Sequence, residues 1–179
     1  MIRYKIFLGL FLFVFISCKT NKTSMLISDN YDESKNQTTL MLFPYGNIVF
    51  PDKWTKTDFN QSSKQHIFTN NNSTTLAIAK NPKEKYPFFK TELTDKEFVA
   101  DFVQWDSEYW RNQGITVSII NDQSDNGYIL WKATNEEKSI NTIFLFGAKN
   151  DFGYNFSVAS ETWSEEKIKD FLIDLYINN

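Results

Sequence analysis

The sequence predicts one α+β domain over residues 39–179, an antiparallel β-sheet flanked by two main helices in an α/β/α sandwich. Three observations predict it. Four strand-like segments between Ile115 and Ala159, the first and last alternating apolar with smaller or polar residues, are joined by short connections rich in Asn, Asp and Gly, the pattern of an antiparallel meander. Two stretches, opening at Thr94 and near Ser164, carry apolar residues at helical spacing. Aromatic residues make up 17% and hydrophobic residues 41% of the 179 residues, enough to fill one core and too much for a disordered polymer.

Residues 1–17 are expected to leave as a signal peptide. Arg3 and Lys5 precede an uncharged apolar run from Ile6 to Ile16, the order of a secretory leader. As a helix that run would rise roughly 16 Å against a hydrocarbon core of about 30 Å, too short for a permanent span. Phe15, Ile16, Ser17 and Cys18 follow at its end, and together they resemble the lipobox of bacterial lipoproteins, with Phe where Leu is commoner. The resemblance implies lipid on the Cys18 sulfur and amine. Read otherwise, Cys18 is only a small residue near an ordinary cleavage site. It is the sole cysteine, however, so an exported domain would carry a lone thiol into an oxidising space unless lipid capped it.

From Lys19 to about Thr38 the chain is mostly Asn, Thr, Ser, Lys and Asp, so residues 18–38 read as the lipidated Cys and a flexible tether, spanning about 25 Å on average. Met25, Leu26 and Ile27 interrupt it, as a docking spot or as nothing. Lys19 stands where inner-membrane retention signals place Asp, so resemblance to lipoprotein sorting patterns implies the outer membrane. The lack of an early acidic cluster points to its periplasmic face. Loss of Arg3 and Lys5 takes the net charge from −3 to −5, a poor match for nucleic acid or anionic lipid.

Within the domain, Leu40–Phe43 and Asn47–Phe50 read as strand, turn, strand around Pro44 and Gly46. Gln65–Thr69 and Thr74–Lys80 flank Asn70, Asn71 and Asn72 as a hairpin. The small Ala77 and Ala79 on one face of its second arm leave room for a close helix. Asn81–Thr91 holds Pro82 and Pro87 and reads as a loop. Thr94 with Glu97 three residues on is a capping-box signature, and Gly114 closes the helix. Phe98, Phe102, Trp105 and Tyr109 fall within about 60° of arc, widened to about 160° by Val99, Val103 and Trp110. Strands follow at Ile115–Asn121, Gly127–Thr134, Ser139–Ala148 and Phe152–Ala159. The third, apolar on both sides, is expected inside the sheet. A last helix from Ser164 carries Ile168, Phe171, Leu172 and Leu175 on one face.

The run Asn47, Ile48, Val49, Phe50, Pro51, Asp52, Lys53, Trp54 and the order of elements resemble the Mog1/PsbP-like fold over residues 40–178. That resemblance implies a non-enzymatic protein-binding domain and transfers no binding residue, because the family shares a shape and no functional motif.

Chemistry is sparse. The single histidine, His66, lies in an expected strand, and the mature domain would hold no cysteine, so the usual zinc sets are unavailable and no metal or cofactor is expected. There is no Gly-x-Ser-x-Gly elbow and no Gly-rich phosphate loop. Two stretches are candidates for binding. One is the basic aromatic loop of Lys85, Tyr86, Phe88, Phe89 and Lys90, whose rings either anchor a partner or close the core. The other is Trp105, Tyr109 and Trp110, with the same two readings. The expected protein is a lipid-anchored, non-enzymatic module that meets an envelope protein and the membrane. The alternative is an aromatic-lined binder of glycan or a small apolar ligand.

Overall fold

The computed structural model describes residues 25–179; the expected signal peptide, Cys18 and the first tether residues lie outside the described residues. The α+β architecture expected from the sequence is present. A seven-stranded antiparallel sheet has the order β4 (Thr55–Asn60), β5 (Gln65–Thr69), β6 (Thr75–Pro82), β10 (Phe152–Ala159), β9 (Ile140–Lys149), β8 (Tyr128–Asn135) and β7 (Thr116–Gln123). A separate sheet joins β1 (Leu26–Asp32), β2 (Gln37–Phe43) and β3 (Asn47–Pro51). The helices are α1 (Asp95–Asn112) and α2 (Glu165–Ile177).

The large sheet has a core on each face. Phe98, Val99, Phe102 and Val103 of α1 pack on Ile129, Trp131, Phe144 and Phe146. On the other face α2 and the small sheet share the work: Ile168, Leu172 and Leu175 join Leu40, Leu42, Ile48 and Phe50 over Leu76, Ile78, Leu145 and Phe156. The sandwich thus has a helix on one side and a helix plus a small sheet on the other. Among the described residues every buried hydrophobic side chain lies between Leu40 and Tyr176.

The capping box of α1 is made: Glu97 N–H donates to Thr94 Oγ1 at 3.3 Å and Thr94 N–H to Glu97 Oε2 at 2.9 Å. Gly114 closes the helix at φ +73°. The Pro51–Trp54 run is a fastening. Trp54 Nε1 donates to Pro51 O at 2.9 Å, its backbone N–H donates to Thr38 Oγ1 at 3.0 Å, and that hydroxyl donates to Asp52 O at 2.8 Å. The last turn of α2 is pinned by the Tyr176 hydroxyl, within reach of both Gly127 O (2.9 Å) and Ala148 O (3.0 Å). Its ring lies so close over Gly147 that no Cβ fits there.

Two expectations need correction, and one strand was not expected at all. The tether does not run to residue 38, because Leu26–Asp32 pairs antiparallel with β2 from Leu26↔Phe43 to Asp32↔Gln37; polar side chains suit its open edge and did not signal a strand. Thr55–Asn60 is also a strand, the edge β4, bulged between Lys56 and Asp58. The helix expected over Ala77 and Ala79 packs chiefly on β7, β8 and β9 instead, because the large apolar residues that need cover are there.

Candidate functional site

The two candidate stretches meet. A 3₁₀ turn at Lys83–Lys85 carries the chain from β6 toward α1, held by the buried Lys83 ammonium on Asp95 and by Lys83 N–H donating to Asp151 O at 2.9 Å. This brings Tyr86 within 5.4 Å of the Phe98 ring and 4.6 Å of Phe102. Phe88 lies 5.2 Å from Phe98 and 5.7 Å from Trp105. Phe89 packs half-buried on the same core. Lys85 and Lys90 point to solvent, Lys85 near Glu84 at 3.7 Å. The loop rings therefore buttress the α1 core, and burial holds the Tyr86 hydroxyl well above the ordinary phenol range, offset in part by Asn81.

On the helix, Trp110 is half-buried, edge-on to Phe144 at 5.5 Å. Trp105 and Tyr109 do not share that cover: Trp105 is 46% and Tyr109 62% exposed. They continue the flank of Phe98 and Phe102 past the core, braced by Phe88 from one side and Trp110 from the other. The result is an aromatic rim along α1, rigid because its bases are buried and open because its tips are not.

Sequence reasoning missed Asp106 within this rim. Burial pushes its carboxyl up to about 6, against the pull of the Trp110 Nε1–H it accepts at 3.0 Å, and its charge is felt by Tyr86. The signal was available: position 106 falls four residues from both Phe102 and Trp110, a carboxylate inside an apolar stripe. Asp106 is thus a carboxyl set on the covered side of the helix beside half-buried Trp110. His66 is different. It is 3% exposed, tilted against the Phe59 ring at 4.7 Å, and pulled down to about 4 by burial and then by Lys56, a neutral imidazole inside the sheet with Nδ1 unpartnered.

No family model matches the chain, and no curated protein does. Among solved structures the chain is similar to the solution structure of cyanobacterial PsbP (CyanoP) from Synechocystis sp. PCC 6803, with 11% identity over 90% of this chain and 95% of that one and a TM-score of 0.43.

A second surface feature lies at the far end of the strands. An open groove there is lined by Trp110, Thr134, Asn141, Thr142, Ser160 and Trp163, among other polar side chains. The remaining tryptophans, Trp54 and Trp131, are buried at 4% and 0% exposure and cannot reach a ligand.

Proposed function

We propose that this protein is a non-enzymatic interaction module of the cell envelope, held by lipid on Cys18 to the outer membrane facing the periplasm, and that it meets an envelope protein through the aromatic rim of α1. The observation that carries the reading is the pair Trp105 and Tyr109. Large rings standing in solvent on a rigid, buried base are the anchors that protein interfaces use, since little side-chain freedom is lost when a partner covers them. Tyr86 and Phe88 serve this surface from beneath, so substitutions there would report on folding as much as binding. The informative variants are Tyr109→Ala alone, whose ring is the more exposed, and Tyr109→Ala with Trp105→Ala. The single variant should weaken capture of the partner in intact cells with the thermal midpoint unchanged, and the double variant should abolish capture while the domain stays folded; undiminished capture by the double variant would remove the rim from the account.

The groove at the strand ends supports a second reading, a glycan-binding protein. Hydroxyl and amide side chains beside Trp110 and Trp163 offer the hydrogen bonds and apolar faces a sugar needs. Tryptophan emission that stays constant across a panel of envelope glycans would dismiss it.

A further inference from the structure

We propose that the outer face of the small sheet, around Leu26, Met41 and Phe43, rests on the surface of the bilayer that carries the anchor; this rests on the lipid-anchored reading above. Leu26 is 71%, Phe43 65%, Met25 40% and Met41 39% exposed, half of the eight large hydrophobic residues that stand exposed among the described residues. Register puts Leu26, Met41 and Phe43 on one surface. Leu26 faces Phe43 and Ser28 faces Met41 across β1 and β2, on the side opposite the buried Leu40 and Leu42.

The chain itself says what covers this patch. Only six residues separate Cys18 from Met25, and seven fully extended steps reach at most about 25 Å. A lipid on Cys18 therefore holds this end of the domain, with its apolar patch, within about 25 Å of the anchor. Charge is arranged to match. The tip of the β2–β3 hairpin places Tyr45 5.6 Å from Phe152, and Lys80 Nζ lies 4.9 Å over that same ring. Lys149 stands near enough to act on Lys80, and donates to Tyr176 O at 2.6 Å. Neither lysine pairs with a carboxylate among the described residues; Asp151, exposed, lies in the adjoining β9–β10 turn. Asp32, Glu33 and Asp52 gather at the opposite end of the sheet, about 20 Å along a seven-residue strand. Apolar side chains and two ammonium groups at the tethered end, with Asp32, Glu33 and Asp52 at the other, fit the boundary of headgroups and acyl chains.

The test uses the chain from position 18 with Cys18→Ser, which keeps both cores and has no lipid, and vesicles of phosphatidylethanolamine and phosphatidylglycerol at 3:1. It should cosediment with the vesicles, and Leu26→Ser with Phe43→Ser should lower the bound fraction at least tenfold with no change in melting temperature. Equal binding by both chains, or none by the parent, overturns the proposal. So does a parent that elutes as a dimer which the double variant dissolves, since a second copy would then be what covers the patch. The intact mass of the native protein from its membranes is read separately. A mass without acyl chains would refute the anchor while leaving the vesicle result to judge the patch.

Discussion

Asp106 and His66 pull stability in opposite directions as pH changes. For Asp106 the folded value, about 6, lies above the ordinary 3.8, so the fold prefers the protonated acid and loses stability as pH rises from about 3.8 through 6. For His66 the folded value, about 4, lies below 6.5. The fold prefers neutral imidazole, so this contribution is complete above about pH 6.5 and is lost as pH falls toward 4. The two effects oppose each other between, and single variants should separate them. Asp106→Asn keeps an acceptor for Trp110 and should raise stability at pH 7 by about 1–2 kcal/mol, with little gain at pH 4.5. His66→Phe should leave a protein that grows more stable as pH drops from 6.5 to 4.5. Chemical denaturation at the two pH values measures both; parallel pH profiles for the variants would show that neither group titrates as its surroundings imply.

At the scale of elements, α1 is fastened by a local device and α2 by a tertiary one. Thr94→Ala removes the hydroxyl of the capping box and should cost about 1 kcal/mol. Gly147→Ala would drive a methyl into the Tyr176 ring and should cost about 1–3 kcal/mol through overpacking; an unchanged urea midpoint would mean that α2 is free to shift. These fastenings also explain what could be read in advance. The cap of α1 is written as Thr94 and Glu97, while β7 and β10 show alternation and β9 shows apolar residues on both sides, as a strand between two cores must. The edge strands β1 and β4 carry LISDNYD and TKTDFN, and an edge can be built from polar residues once its neighbour supplies the ladder. Helical spacing placed Trp105 and Tyr109 on the flank of Phe98 and Phe102 correctly, yet nothing in the spacing marks where the covered part of that flank ends.

Over the whole molecule, the three proposed surfaces lie apart. The Leu26 and Phe43 face lies at the end where the chain arrives from Cys18, the polar groove lies at the far end of the strands, and the aromatic rim runs along α1 on the side of the large sheet away from the small one. A domain lying on its small sheet would thus turn the rim away from the bilayer, toward whatever the envelope offers. The rim itself was half legible. Both of its stretches stood out as aromatic clusters, but that Tyr86 and Phe88 would support Trp105 from below depends on a loop closing over Gly153, a contact between residues far apart in sequence. The most direct test of the central claim is crosslinking in intact cells from a photoreactive residue at position 109, with position 137 as an exposed control, in the native and Cys18→Ser chains. The account predicts one recurrent protein captured from 109, not from 137, and lost when Cys18 is replaced. Identical products from both positions, or none from 109 in the native chain, would contradict it.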